Sequence, residues 1–305
     1  MAGPKPGQKT VLVTGCTPGG IGHGICVEYH RQGLHVIATA RRPEVLVDLA
    51  EMGMSALALD VTDAESIKQC HEEVTKLTGG KLDILVNNAG RTHTHPATDI
   101  SLPDVRQTFE TNVFSIMAMV QAFIDHLIAA KGLIINISSL SSLTPYVFGS
   151  VYCASKAAVA GYSRTLRMEL APFDVRVMCS MTGTVKSNTA SQGHRELPEN
   201  SLYQSVKDIF EWRLVFSQNN STVPTEQFAR RLVADSLRPE RPAFLRRWFG
   251  RPDWFWYGGL ADLAWLGTCI GEWVIDAVSW RTFRMPEIVK LLDQQQQQQV
   301  QKKLQ

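Results

Sequence analysis

Six short apolar runs, separated by stretches of helical pattern, constrain this chain more than any other feature. They are Thr10–Gly15 (TVLVTG), Leu34–Ala40, Ser55–Val61, Leu82–Asn87 (LDILVN), Leu133–Ser138 (LIINIS) and Val175–Ser180 (VRVMCS). The near-unbroken runs among them lack the alternation of a strand with one wet face, so they belong in a sheet covered on both sides. The helices between them, with Gly20–Gln32, Pro103–Ala130 and Val151–Leu170 the clearest, supply both the cover and the crossovers that parallel strands need. The expected fold class is therefore α/β, a doubly wound parallel sheet whose strand ends converge on a ligand crevice.

With 305 residues, 44% of them apolar and 20% charged, the chain can fill one large core. A formal net charge of +2 with no basic stripe argues against nucleic acid and for a small-molecule ligand. Six cysteines without C-x-x-C spacing suit a reducing compartment, and the N-terminus has no apolar core of a secretory signal. A cytoplasmic location is expected.

Between the first strand and its helix runs Thr14-Gly15-Cys16-Thr17-Pro18-Gly19-Gly20-Ile21-Gly22. Glycines let a backbone approach a pyrophosphate, and a helix N-terminus offers free N–H groups to it. Gly15, Thr17, Gly20, Ile21 and Gly22 are the candidate phosphate contacts. The second strand ends in Arg41-Arg42, where an NAD enzyme places an acid; arginine accommodates a 2′-phosphate, which favours NADP. Asp60 ends the third strand, within reach of an adenine amino group, and Asn87-Asn88-Ala89-Gly90 ends the fourth with small residues that let backbone pass under a cofactor.

Tyr152 and Lys156 lie one helical turn apart, with Ser139 at the end of the fifth strand. A phenol titrates near ~10, too high for easy acid–base work. An ammonium about 4 Å away favours phenolate by roughly 4 kcal/mol at an effective dielectric of about 20, so the expected effect is a phenol lowered by up to ~3 units. Asn112, a mediocre helix former placed mid-helix, is the candidate anchor for a water in a proton path to Lys156.

In order and spacing, TGCTPGGIG, LDVTD, NNAG, Asn112, Ser139 and YCASK resemble the short-chain dehydrogenase/reductase superfamily over about residues 10–190. The resemblance implies a Rossmann fold and an NADP(H)-dependent carbonyl/alcohol oxidoreductase. Tyr152 would be the general acid, Lys156 would lower its pKa and hold the nicotinamide ribose, Ser139 would orient the substrate carbonyl, and Asn112 would hold the relay water. Thr184 and Val185 would face the nicotinamide carboxamide. PYVFGSVYCASK, ELAPFDVRV and MTGTV look like a fungal branch that includes NADPH-dependent 1-acyldihydroxyacetone-phosphate reductases and secondary-metabolite ketoreductases. The glycine loop is one residue longer than is usual in the family, Thr182 stands in place of a proline, and Ser115 in place of a glycine. A non-catalytic NADP-binding scaffold is the competing reading, which a complete Ser139/Tyr152/Lys156 set opposes.

Beyond residue 190 the alternation stops. Helices are expected at Leu202–Gln218 and Thr225–Leu237, giving a division into a catalytic core (8–190), substrate-binding helices (191–245), an amphipathic Trp-rich segment (246–293) and a Gln-rich tail (294–305). Six of the seven tryptophans fall between Trp248 and Trp280. As one helix, Trp254–Val278 would gather Asp262, Glu272 and Asp276 on one arc and Leu260, Leu263, Ile270, Val274 and Val278 opposite. Arg246, Arg247, Arg251, Arg281 and Arg284 flank it. Two roles stand side by side: peripheral contact with a membrane or lipid-droplet surface, as at the endoplasmic reticulum, or protein packing, over the substrate mouth or in a homodimer. Three internal acids make a full span the weaker choice. Either leading role gives a hydrophobic ketone a greasy entrance.

Overall fold

The computed structural model describes residues 3–187, 195–220, 222–242, 244–245 and 249–304. The expected boundary at residue 190, together with Arg246, Arg247 and Trp248, lies outside these. The six apolar runs form β1 (Thr10–Val13), β2 (His35–Ala40), β3 (Ser55–Ala58), β4 (Ile84–Asn87), β5 (Leu133–Ile137) and β6 (Arg176–Thr182). β1 pairs with both β2 and β4, all in parallel, so the chain reverses its winding direction between β3 and β4. That reversal opens the crevice at the carboxyl ends of β1 and β4. Every residue of β1, β2, β4 and β5 is buried, which is why these strands read as unbroken apolar runs.

One face of the sheet is covered by α1 (Ile21–Arg31), with Ile25, Cys26 and Tyr29 in its core. The other is covered by α3 (Ala64–Thr78), which follows the short α2 (Val47–Glu51), and by the long helical stretch after β4. That stretch is not the uniform helix expected over Pro103–Ala130. α4 (Leu102–Phe109) passes through a π-helical turn, Glu110–Phe114, into α5 (Ser115–Ala130). The stretch is long and apolar enough to cross a membrane by composition. Its Ile116, Met119, Val120, Phe123 and Leu127 are instead buried, most of them against the sheet. α6 (Ser150–Leu170) packs beside β6.

The Trp-rich segment is not one amphipathic helix. Trp254–Tyr257 is a strand that pairs in parallel with β6, extending the sheet to seven strands. In chain order it is β9, after the two-stranded ladder of β7 (Val185–Lys186) and β8 (Val223–Pro224), between which lies α7 (Lys207–Asn219). The covering helix α8 (Thr225–Ser236) lies between β8 and β9 and packs on α1. WFWY has the aromatic character of a strand. Arg176 pairs with Asp253 at 2.6 Å and Arg167 stacks on Trp254 at 5.2 Å, which fixes the new edge to its neighbours. A Cβ on Gly183 would lie 2.3 Å from the Gly259 carbonyl oxygen, so the turns after β6 and β9 meet backbone to backbone.

Two helices follow, α9 (Ala261–Ile270) and α10 (Glu272–Thr282), broken at Gly271 with φ 148° and ψ 155°. That conformation is essentially restricted to glycine, and it folds the segment into a hairpin rather than a span. Asp262, Glu272 and Asp276 remain exposed, as the expected polar face required. The Gln-rich tail is the end of a helix, α11 (Met285–Leu304), which buries Ile288 beneath α7.

Candidate active site

The glycine loop and the turn after β4 are stitched into one floor. The Thr14 hydroxyl donates to the Val86 carbonyl (3.3 Å) and accepts from the N–H groups of Asn88 (3.0 Å) and Ala89 (2.9 Å). The Asn88 amide donates to the carbonyls of Thr14 and Gly15 at 2.8 and 3.0 Å. Gly22 belongs to this stitching rather than to the ligand surface. A Cβ there would sit 2.5 Å from both Asn88 Nδ2 and the Gly15 oxygen. Gly22 thus packs the two turns together and is absent from the cleft wall.

Above this floor runs a cleft of about 1270 Å³ along the carboxyl ends of the parallel strands. Gly15, Thr17, Gly20, Ile21, Arg41, Arg42, Asp60, Asn88, Ala89, Gly90, Ser139, Tyr152, Lys156, Thr184 and Val185 all line it. Gly20, the N-cap of α1, contributes no side-chain bond, and the first turn holds no acid. The orphan N–H groups of that helix are thus left for an anion. Arg41 and Arg42 line the cleft and are exposed. At Asp60, burial works against the charge but is outweighed by bonds from the Thr62 N–H and hydroxyl and by the Arg41 charge, so the carboxyl sits below its usual range. A dinucleotide with a 2′-phosphate fits this combination of uncapped helix, backbone floor and paired arginines.

The reacting group gathers where β5 meets α6. Ser139 caps a short turn after β5, its Oγ accepting from the Ser141 N–H at 3.2 Å. Ser138 donates to the Lys156 carbonyl at 2.9 Å, tying α6 to the strand end. Lys156 is buried, donates from Nζ to the Ile137 carbonyl at 2.9 Å, and lies 5.8 Å from the Tyr152 ring centre. The expected lowering of the phenol is not seen. Burial pushes Tyr152 up to about 12, against the opposing bond to the Ser139 hydroxyl, and lowers Lys156 to about 8. Desolvation penalises both ionised forms and is the largest cause at each.

Asn112 sits in the π-turn, a helical irregularity common at functional sites. Its amide is spent on protein. Oδ1 accepts from the Arg91 N–H (2.8 Å), and Nδ2 donates to the Arg91 carbonyl and Ser155 Oγ, both at 3.0 Å. A Cβ on Gly90 would stand 3.3 Å from Asn112 Oδ1 and 3.7 Å from Lys156 Nζ, so Gly90 is held between the two. The side chain thus clamps the cofactor turn and does not line the cleft.

Toward its C-terminal segment the cleft has the apolar cover the sequence suggested, in a different form. Leu260, Leu263, Ile270, Val274 and Val278, the apolar set expected on one helix, do share a surface, but as the roof of the cleft across a hairpin. Tyr146 and Arg213 line the same end. One signal existed for Arg213: it shares the buried face of α7 with Ile209, Phe210 and Phe216, a charge at a core position.

The profile of the short chain dehydrogenase family matches residues 9–197. The chain belongs to the short-chain dehydrogenase family. It is 40% identical to the short-chain dehydrogenase fogD of Aspergillus ruber, over 92% of this chain and 95% of that one. Identity to the NADPH-dependent 1-acyldihydroxyacetone phosphate reductase of Schizosaccharomyces pombe is 37%, over 86% and 90% of the two chains. Among solved structures, a short-chain dehydrogenase from Streptomyces avermitilis superposes with a TM-score of 0.73 at 27% identity, covering 92% of this chain and 98% of that one. As a member of this family the protein is an oxidoreductase, of a branch rich in fungal enzymes.

Proposed function

We propose that this short-chain dehydrogenase is an NADPH-dependent reductase that converts a ketone on a hydrophobic substrate to a secondary alcohol. The observation that carries the reading is the meeting of Ser139, Tyr152 and Lys156 on the wall of a cleft that continues to Arg41 and Arg42. When bound, NADPH supplies the hydride for the carbonyl carbon. Ser139 holds the carbonyl oxygen beside the Tyr152 phenol. Tyr152, pushed up to about 12, is protonated at neutral pH and is set to give its proton to the alkoxide oxygen as it forms. Lys156 holds the nicotinamide ribose and becomes a better partner for the phenolate once the proton has left. Asn112 acts as a positioning residue, keeping Gly90 and Arg91 against Lys156.

The hairpin α9–α10 supplies an apolar entrance, which suits either a lipid ketone such as 1-acyldihydroxyacetone phosphate or a ketone of fungal secondary metabolism. The relative with a printed lipid substrate supports the first of these. Leu263, Leu266, Ile270 and Trp273 are 49–71% exposed, which favours peripheral contact of the hairpin with a lipid surface from which such a substrate enters.

Replacing Tyr152 with Phe is expected to lower kcat for ketone reduction by at least 10³-fold while the NADPH dissociation constant, read by quenching of protein fluorescence, stays within a few-fold. Full biological activity in a Y152F strain without turnover would favour the scaffold reading instead.

A further inference from the structure

Arg213 projects from the buried face of α7, and only 2% of it is exposed. Its guanidinium carbon lies 3.3 Å from the centre of the Tyr146 ring and 5.1 Å from that of Phe283. No acidic side chain among the described residues pairs with it, and its Nε and Nη2 are buried without a hydrogen-bond partner. Arginine keeps its proton in a protein and offers a planar fork of donors, so burial without a counter-ion leaves strong donors unmet. Buried polar groups are nearly always hydrogen-bonded, so an unmet buried fork calls for a partner. Burial also pulls the guanidinium below its usual range, with the Tyr146 ring and hydroxyl opposing that trend.

The surroundings say where the partner comes from. Arg213 lines the same cleft as Ser139 and Tyr152. Tyr146, on which it stacks, is close enough to influence the ionisation of Tyr152, and Arg213 influences that of the adjacent Cys153. The hairpin side of the same cleft is lined by Leu260, Leu263, Ile270, Val274 and Val278. Lys156, Arg91 and Arg195 also line the cleft, but Arg91 and Arg195 are paired with Asp104. Arg213, with no acidic partner among the described residues and apolar hairpin residues on the same wall, suits an amphiphile with its charge near the ketone and its chain in the hairpin.

We infer that Arg213 is the receptor for an anionic group on the substrate, a phosphate monoester or a carboxylate, set near the carbonyl that is reduced. This deepens the reductase reading and rests on it. The planar guanidinium takes either oxyanion in two parallel hydrogen bonds. The Tyr146 ring keeps the fork flat and shields it from water. The apolar hairpin covers the chain beyond the ketone.

The test compares two matched pairs as NADPH-oxidising substrates: palmitoyl-dihydroxyacetone phosphate with palmitoyl-dihydroxyacetone, and a long-chain 3-oxo acid with its methyl ester. In wild-type enzyme the anionic member of one pair is expected to exceed its neutral partner in kcat/KM by roughly 30-fold or more, chiefly through KM. The pair that shows the preference tells phosphate from carboxylate. In R213Q the ratio should collapse to near one, and R213K should keep part of it. Equal rates within both wild-type pairs, or an R213Q enzyme that keeps the ratio, would overturn the assignment while leaving the reductase intact. If R213Q does not fold, the wild-type ratios alone decide. Should none of the four ketones be reduced, the lipid-ketone form of the reductase reading fails. Thermal stabilisation of NADPH-loaded wild type by the anionic members only would then still support the receptor, and its absence would overturn it.

Discussion

At the scale of single residues, burial acts on the two groups that define the site with opposite signs. Lys156 is buried and lowered from 10.5 to about 8, so folding penalises its charged form. The penalty is complete below about pH 8, where the amine is protonated in both states, and is relieved as pH rises from about 8 to the unfolded value near 10.5. A shift of that size corresponds to about 3 kcal/mol. K156M is therefore expected to stabilise the cofactor-free protein by up to about 3 kcal/mol at pH 7, less the lost bond to the Ile137 carbonyl. The gain should shrink towards zero by about pH 10. Urea unfolding at the two pH values checks it; a gain independent of pH would show that Lys156 is not desolvated as described. Tyr152 works with the opposite sign, since a raised phenol favours the folded state until pH climbs above 10 and removes that preference by about 12. The i,i+4 spacing of the pair was legible in the sequence. The direction of the phenol shift was not, because spacing gives proximity while desolvation depends on everything packed around the pair.

At the scale of elements, the turns do more than connect. The glycine loop and the NNAG turn hold each other through Thr14 and Asn88, and the lengthened loop leaves Gly22 as the contact between them. The C-terminal hairpin depends on a single backbone conformation at Gly271. An alanine there forces a side chain into a region that costs on the order of 1–3 kcal/mol, with its Cβ 3.1 Å from Trp273 Cδ1. G271A is expected to loosen α9–α10, raising KM for the ketone several-fold while the NADPH dissociation constant stays within about twofold. Steady-state kinetics beside a fluorescence titration separates the two; parallel losses in both would mean the hairpin supports the cofactor limb as well. The sequence showed the apolar set of this segment correctly and its helix wrongly. WFWY pairs with β6, and a break at Gly271 lies outside what a single-helix period describes.

At the scale of the whole molecule, the sheet, the cleft and the hairpin form one body in which the last strand is contributed from far along the chain. Trp254–Tyr257 reaches β6 across some seventy residues of intervening sequence, and Arg167, Arg176 and Asp253 bind that edge in place. The exposed apolar residues of the hairpin surround the mouth, while Asp262, Glu272 and Asp276 face solvent nearby. Contact with lipid is then expected to be driven by apolar insertion and hindered by surface acid. The protein should float with neutral phosphatidylcholine vesicles at least as well as with vesicles containing phosphatidylserine, and L263D/I270D should abolish flotation. Failure to float with either composition would leave the hairpin as a substrate cover alone.

The amino-acid sequence by itself determined the doubly wound parallel sheet and its first six strands, and it singled out the glycine loop and Ser139, Tyr152 and Lys156 as the candidates for the cleft. These follow from local signals: unbroken apolar runs, glycines at a strand–helix junction, side chains one turn apart. Only the tertiary structure decided the seventh strand, the hairpin roof, the commitment of Asn112 to Arg91, and the unpaired guanidinium of Arg213. Each of those depends on which distant segment supplies, or withholds, a partner in space, and no period or spacing along a chain records that.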